Sequence, residues 1–278
     1  MSINVLKPKY RTDEILTEIK KCFDKSWTGM GYKTVEFEEA WKNYTKLPHA
    51  HFLNSNTSGL HLALNIFKTQ EGWNDGDQVI TTPLTFVSSN HAILYERLQP
   101  VFADVDINSG NITAESIKPL INQSTKAISV VHLGGWPADM ESISRLAKDN
   151  GLLILEDCSQ AHGASIKDKK IGSFGDIATW SFCQDKIIST GGEGGMVTTN
   201  SESLYKKIWS LKDHGKSLDL IKKNSNNSHS FKWVHEDLGT NCRLTEMQSC
   251  IGRIQLRNLT KTNSIRKRNA YILINQLK

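Results

Sequence analysis

Residues 126–157 read KAISVVHLGGWPADMESISRLAKDNGLLILED, and this stretch indicates the fold. Its two ends, KAISVVHL (126–133) and LLILED (152–157), are nearly continuous apolar runs, a pattern typical of strands buried on both faces of a sheet. The segment between them, ADMESISRLAKDN (138–150), has the periodicity of an amphipathic helix. A strand, a helix and a strand in this order predict two parallel strands joined by a right-handed crossover.

The same alternation extends along most of the chain, which predicts an α/β fold with a mainly parallel sheet. We expect further strands at 50–53, 78–82, 100–106 and 177–182, and helices at 58–67, 88–98 and 114–121. Amphipathic helices are also predicted near both ends of the chain, at 12–23 and 34–46 and again at 243–256 and 264–277.

Composition limits the possible functions. The 278 residues are 38% hydrophobic and 23% charged, which is ordinary for a globular protein with a substantial core. A net charge of +5 suits a small anionic ligand but is too low to indicate nucleic acid. The five cysteines form no CxxC pair, so we predict neither a metal site nor disulfides. The sequence has no leader-like or membrane-spanning apolar run, and we expect a cytoplasmic protein.

Two polar segments follow predicted strands, where ligands bind in open α/β sheets. NSNTSG (54–59) opens a helix, so its N–H groups and the hydroxyls of Thr57 and Ser58 could bind a phosphate, or these residues could simply cap the helix. In EDCSQAHG (156–163), Asp157 could pair with a protonated ring nitrogen, or could be an N-cap or salt-bridge partner.

A third segment, WSFCQDKIISTGGEGG (180–195), contains Lys186 four residues after a predicted strand. Its glycines match neither a P-loop nor the GxGxxG pattern, and we expect them to make a tight turn or to let backbones approach closely. Lys186 could therefore be a nucleophile or base, or an ordinary surface lysine. An anion site, a carboxylate and a lysine are together what pyridoxal 5'-phosphate requires of a protein.

The chain resembles the DegT-like sugar aminotransferases, which are pyridoxal-phosphate enzymes of the aspartate-aminotransferase class (fold type I). The resemblance covers nearly the whole chain in the family's order. It rests on TGMGYKTVEFE (28–38), NSNTSGLHLAL (54–64), TPLTFVSSNHAI (82–93), PVFADVD (100–106), VVHLGGWPADM (130–140), LEDCSQAHGA (155–164), GSFGDIATWSFCQDK (172–186), GGEGGMVTTN (191–200) and LGTNCRLTEMQSCIGRIQL (238–256).

The resemblance implies a role for each matching residue. Lys186 would bind the cofactor covalently, Asp157 would face the pyridine nitrogen, and Gln160 would lie near the ring hydroxyl. The remaining cofactor contacts would be Phe86 stacked on the ring, Thr57, Ser58 and Ser181 on the phosphate, and Asn241 on the phosphate of the partner subunit in a homodimer.

The resemblance also implies a three-layer sandwich and a division of the chain. Residues 1–240 would form the cofactor-binding large domain with its N-terminal helices, and residues 241–278 would begin the connection to a small C-terminal domain that is missing or incomplete here.

The implied activity is transfer of an amino group, with glutamate as the expected donor, to a nucleotide-diphosphate keto-sugar for amino-sugar and surface-polysaccharide biosynthesis. Two alternatives are a cofactor-binding protein without turnover, acting as a sensor or regulator, and a sugar dehydratase. The dehydratases of this family carry histidine at the lysine position, so Lys186 argues against the last alternative.

Overall fold

The computed structural model describes residues 8–224 and 233–277. Its strands are β1 (His49–Leu53), β2 (Gln78–Thr81), β3 (Gln99–Phe102), β4 (Thr125–Val131), β5 (Leu153–Asp157), β6 (Ser165–Ile166), β7 (Lys169–Lys170), β8 (Ile177–Ser181) and β9 (Gly195–Thr199). Its helices are α1 (Thr12–Asp24), α2 (Tyr32–Thr45), α3 (Asn56–Glu71), α4 (Ser88–Tyr95), α5 (Ala114–Ile117), α6 (Met140–Asp149), α7 (Glu202–Lys212), α8 (Leu218–Asn224), α9 (Glu246–Arg257) and α10 (Leu259–Gln276).

Within the described residues, seven strands form one sheet in the order β1–β9–β8–β5–β4–β2–β3. Only β9 runs against its neighbours, and it pairs antiparallel with both β1 and β8. The remaining pairs are parallel, including the predicted pair β4–β5, in which Val131 lies beside Asp157. The predicted α/β fold with a mainly parallel sheet is therefore confirmed.

Two separate hydrophobic clusters cover the two faces of the sheet, which makes the fold a three-layer sandwich. Ile154 belongs to one cluster and its neighbour Leu155 to the other, because successive side chains of a strand point to opposite faces. Side chains of α2, α5 and α6 complete the first cluster, and side chains of α3, α4 and α7 complete the second. The crossover helices thus lie on both sides, as expected for a sheet with continuous apolar strands.

The structure differs from the predicted elements at several places. The helix predicted at 114–121 is α5 followed by a 3₁₀ turn at Lys118–Leu120, because Pro119 has no N–H to continue an α-helix. The strand predicted at 100–106 ends at Phe102, on the edge of the sheet. Helix α7, which Ser201 caps by accepting a hydrogen bond from Leu204 N, was not predicted.

Helix α10 begins earlier than predicted, at Leu259, and extends over 18 residues. Leu259 is buried, whereas the apolar side chains near its other end are largely exposed, including Tyr271 and Leu273. Among the described residues, no helix has both the length and the apolar composition needed to cross a membrane.

Candidate active site

A cavity of about 440 Å³ lies at the edge of the sheet where the parallel strands end. Val131, Asp157 and Ser181, the last residues of β4, β5 and β8, all line it. Strand β9 begins at this same edge because it runs in the opposite direction. The topology therefore brings residues from distant parts of the sequence to one place, as is usual for ligand sites in α/β folds.

Six of the eight residues predicted to contact a cofactor line this cavity. They are Thr57, Phe86, Asp157, Gln160, Ser181 and Lys186. Ser58 and Asn241 are not among the lining residues. Local hydrogen bonds explain why each of these two residues lies outside the lining.

The N-terminus of α3 is capped by Ser55, so the cap is neither Thr57 nor Ser58. Ser55 Oγ accepts a hydrogen bond of 3.1 Å from Ser58 N, and the two serine hydroxyls lie 3.0 Å apart. This contact turns the Ser58 hydroxyl toward Ser55, while Thr57 lines the cavity. Because the first N–H groups of a helix have no partner within it, the start of α3 can donate to an anion in the cavity.

Asn241 lies at another surface. It lines a separate cavity with Trp27 and Trp233, and its Oδ1 accepts hydrogen bonds from Arg243 N at 3.2 Å and Arg243 Nε at 3.1 Å. Its backbone oxygen accepts a bond of 3.4 Å from Asn54 Nδ2, next to the α3 cap. Within one chain, Asn241 is therefore near the start of α3 but outside the Lys186 cavity.

The carboxylate of Asp157 is buried and is held by residues of α3 and α4 and by Ser159, which follows β5. Oδ1 accepts hydrogen bonds from Asn56 Nδ2 at 3.3 Å, Ser159 N at 3.1 Å and Ser159 Oγ at 2.6 Å. Oδ2 accepts one from Ser89 Oγ at 2.7 Å. Since each carboxylate oxygen has about two acceptor positions, Oδ2 can accept one further donor from the cavity.

Lys186 lies in the cavity wall with 18% of its side chain exposed. Its ammonium group is 3.0 Å from Oδ2 of Asp185, which also lines the cavity. Burial by itself would raise the pKa of Asp185, but the hydrogen bond from Lys186 lowers it overall. The amine is thus largely enclosed and oriented, unlike a freely solvated surface lysine.

The glycines after Lys186 shape the backbone, as predicted. Gly191 and Gly192 have φ angles of +91° and +120°, values that side chains disfavour, and they form the turn into β9. A Cβ at Gly195 would lie 2.4 Å from the backbone carbon of Ser55. Glycine at this position therefore lets β9 pass directly against the cap of α3.

Two histidines near the site belong to the protein interior. Burial lowers the pKa of His162 to about 3, and its ring lies against Trp41 and Trp180, so it is a neutral core residue. His132 Nδ1 accepts from Ala138 N, so Nε2 carries the proton and donates to Glu156 at 3.1 Å.

Glu156 forms a buried cluster with His132 and Cys158 in which a metal ion could be sought. Its carboxylate also accepts hydrogen bonds from the backbone N–H groups of Gly172, Phe174 and Gly175. Burial would raise the pKa of Glu156, but the bond from His132 and the backbone bonds from Gly175 and Gly172 lower it overall. The His132 and Glu156 atoms that could bind a metal ion are already hydrogen-bonded within the protein, which favours a structural role for the cluster.

The sequence patterns did not single out Asn56, Ser89, Ser159, Asp185 or Glu193 as residues of the site. Asn56, Ser159, Asp185 and Glu193 stand inside the three polar segments that were singled out, so their positions carried a local signal. Ser89 lies outside those three segments, 68 residues from Asp157, and only the fold brings the two residues together.

The cavity fits pyridoxal phosphate on three observations. Asp157 Oδ2 keeps an acceptor position for a ring N–H, the start of α3 offers donors for a phosphate, and Lys186 supplies an enclosed amine. In addition, Asn56 Oδ1 is buried without a hydrogen-bond partner among the described residues, which leaves an acceptor at the site for a ligand.

Comparison with known proteins agrees with this fit. Residues 9–278 match the DegT/DnrJ/EryC1/StrS aminotransferase family. The chain is 37% identical over 239 residues to GDP-perosamine synthase of Escherichia coli O157:H7, covering 86% of this chain and 61% of that one. It is 38% identical to UDP-N-acetyl-3-dehydro-alpha-D-glucosamine 3-aminotransferase of Acidithiobacillus ferrooxidans, covering 93% and 65%. The chain thus spans less than two thirds of the length of these relatives.

Solved structures of similar enzymes also superpose on this chain. An aminotransferase from Psychrobacter cryohalolentis superposes with a TM-score of 0.85 at 41% identity, covering 91% of this chain and 64% of that one. A GDP-4-keto-6-deoxymannose-3-dehydratase superposes with a TM-score of 0.87 at 26% identity, covering 97% and 72%, and was solved with a trapped PLP–glutamate geminal diamine.

Proposed function

The chain belongs to the DegT/DnrJ/EryC1/StrS aminotransferase family, and from this membership we propose that it transfers an amino group from glutamate to a nucleotide-linked keto-sugar. The cofactor is pyridoxal 5'-phosphate, and the product would be an amino sugar for surface-polysaccharide biosynthesis. The observation that carries the proposal is the joint presence of a hydrogen-bonded buried carboxylate, Asp157, and an enclosed amine, Lys186, in one cavity. The names of the sugar-aminotransferase relatives support the substrate class.

Asp157 is proposed to hold a proton on the pyridine nitrogen. When bound, pyridoxal phosphate supplies an electron sink for the electron pair left by a broken C–H bond. Four hydrogen bonds from Asn56, Ser89 and Ser159 hold the Asp157 oxygens in place, and Oδ2 keeps an acceptor position for the proton on the nitrogen that it would face. The same bonds fix the orientation of the carboxylate before a ligand arrives.

Lys186 is proposed as the covalent attachment point and as the group that moves the proton. Its Nζ would accept the proton from the substrate carbon and return it during transfer. Asp185, 3.0 Å from Nζ, would keep the free amine in the cavity whenever it is not bonded to the cofactor. This pairing gives Lys186 a defined position in both halves of the reaction.

The other predicted contacts remain proposals with different degrees of local support. Thr57 and Ser181 line the cavity and would bind the phosphate with the first N–H groups of α3. Phe86 is 69% exposed at the cavity rim, where its ring could cover the cofactor. Gln160 Oε1 already accepts a hydrogen bond of 2.6 Å from Gly134 N, which leaves its amide N–H₂ to reach the ring hydroxyl.

We also propose a homodimer and the division of the chain at residue 240. Asn241 lies outside the Lys186 cavity of its own chain, which fits a residue that serves the partner's site. Ser58, which lies in the first turn of α3, would contribute to binding of the cofactor phosphate. Residues 1–240 are proposed as the large cofactor domain and 241–278 as the start of the link to a small domain.

The proposal is tested by loading the purified protein with pyridoxal phosphate, reducing it with borohydride and measuring the intact mass. We expect a stable adduct on the wild type and none on Lys186→Ala, while Lys167→Ala, which changes an exposed lysine paired with Glu141, keeps the adduct. Glutamate should then release 2-oxoglutarate from the loaded wild type. Absence of the adduct, or of 2-oxoglutarate, would contradict the proposed activity.

A further inference from the structure

Glu193 stands in the wall of the Lys186 cavity on a backbone that is firmly held. Its carbonyl oxygen accepts hydrogen bonds from Thr190 Oγ1 at 2.6 Å and from Gln248 Nε2 at 3.2 Å. Its neighbour Gly192 adopts a φ of +120° that positions the turn. The main chain is therefore fixed from two sides, while the side chain is exposed toward the cavity.

Three carboxylates line this cavity, and their hydrogen bonds differ. Asp157 accepts four hydrogen bonds from oxygen and nitrogen donors, and Asp185 is paired with Lys186. Among the described residues, the Glu193 carboxylate accepts only from the thiol of Cys183, at 3.7 Å. A thiol is a weak donor, so Glu193 keeps nearly all its acceptor capacity.

The state of Cys183 agrees with this assignment of donor and acceptor. Burial raises the pKa of the Cys183 thiol, and the nearby Glu193 carboxylate raises it further. The thiol is therefore protonated at neutral pH and donates to Glu193. It lines the same cavity and directs the carboxylate without saturating it.

We infer that Glu193 is a specificity-determining residue that accepts a hydrogen bond from a hydroxyl group of the sugar substrate, an inference that rests on the proposed function. A sugar offers several hydroxyl donors for which a carboxylate with free acceptor positions is a strong partner.

The test compares the binding of a nucleotide sugar with that of its nucleotide alone by calorimetry, using GDP-perosamine against GDP and UDP-N-acetylglucosamine against UDP. For at least one pair, the cofactor-loaded wild type should bind the sugar form more tightly. Glu193→Ala should weaken that binding about tenfold while leaving the affinity for the nucleotide unchanged, since the lost bond involves a charged acceptor. Glu193→Gln keeps one acceptor oxygen, and its affinity for the nucleotide sugar should lie between those of the wild type and Glu193→Ala.

Glu202→Ala is the matched control, because Glu202 is an exposed carboxylate at the start of α7, which follows the end of β9 that lies away from the cavity. It should bind both ligands like the wild type. The inference is overturned if Glu193→Ala weakens nucleotide and nucleotide sugar equally, or if the wild type binds them equally. Release of 2-oxoglutarate from glutamate is measured separately on the cofactor-loaded wild type. Its absence in the wild type would refute the proposed function and leave the sugar-binding comparison intact.

Discussion

Ser89 Oγ donates a hydrogen bond of 2.7 Å to Oδ2 of Asp157 across 68 residues of sequence. Ser89 lies in the first turn of α4, which follows β2, and Asp157 ends β5, with β4 between the two strands. The bond joins the first turn of α4 to the end of β5, at the edge of the sheet where the cavity lies. It therefore fixes the carboxylate on which the proposed cofactor site depends.

Ser89→Ala should lower the free energy of unfolding by about 1.5–3 kcal/mol, since a hydrogen bond to a buried charged group is lost. Urea denaturation in the absence of cofactor measures this change. Ser144→Ala is the control, because Ser144 Oγ is buried without a hydrogen-bond partner among the described residues. This substitution should change the free energy of unfolding little. Equal stabilities of the Ser89 and Ser144 variants would show that the bond to Asp157 contributes nothing.

Gly195→Ala should destabilise the chain by about 1–3 kcal/mol and weaken cofactor binding, because the added methyl group displaces the cap of α3. A Cβ at this position would lie 2.6 Å from Asn56 N as well as against Ser55. Gly29→Ala is the matched control, since a Cβ there meets nothing within 4 Å. Thermal unfolding and an absorbance titration with pyridoxal phosphate check both effects, and unchanged cofactor affinity in Gly195→Ala would contradict the expectation.

Glu246 caps α2 from a distant part of the sequence. Its fully buried carboxylate accepts hydrogen bonds from Lys33 N at 2.7 Å, Thr34 N at 2.9 Å and Thr34 Oγ1 at 3.0 Å, while Gly31 at the N-cap has no side chain to do so. Glu246→Ala leaves the N–H groups of Lys33 and Thr34 unsatisfied, at about 1–3 kcal/mol each. We expect a marked loss of unfolding free energy.

Glu246→Gln should lose less stability than Glu246→Ala, because its amide oxygen still accepts a bond. Glu71→Ala, a change at an exposed position at the end of α3, serves as the control and should behave like the wild type. Chemical denaturation of the four proteins orders their stabilities. An alanine variant as stable as the glutamine variant would refute the capping role.

The ion pairs of Glu18 predict how the free energy of unfolding depends on pH. Hydrogen bonds from Lys21 and Lys33 lower the pKa of Glu18 to about 2, and Arg253 Nη2 lies 3.1 Å from the same carboxylate. Because the carboxyl group binds a proton more readily in the unfolded chain, stability is fully present above an unfolded pKa of about 4.3 and falls as the pH decreases toward 2.

Glu18→Gln should therefore be less stable than the wild type at pH 7 and lose less additional stability between pH 5 and pH 2. Glu39→Gln, which changes an exposed glutamate paired with Lys42, should keep the slope of the wild type. Unfolding free energies measured across this pH range test the difference. Parallel curves for wild type and Glu18→Gln would rule out the contribution of Glu18.

The sequence by itself determined most of the alternation of strands and helices and the residue types of the site. Continuous apolar runs specified strands buried on both faces, and the polar segments after them marked the cavity edge, because strand ends and helix starts are local features. Lys186, Asp157 and Thr57 could be selected in this way. Pro119 also indicated the end of the α-helix, but the prediction of a helix at 114–121 followed the pattern of apolar residues and continued past it.

Only the tertiary structure decided which partners hold these residues. Ser89 on Asp157 and Glu246 on α2 are contacts between distant segments, and no periodicity or spacing records them. The antiparallel direction of β9 places Glu193 at the cavity, and the close approach of Gly195 to Ser55 explains why glycine stands at that position. Such contacts depend on how the whole sheet is ordered, because the fold alone sets the distance between strands that are far apart in sequence.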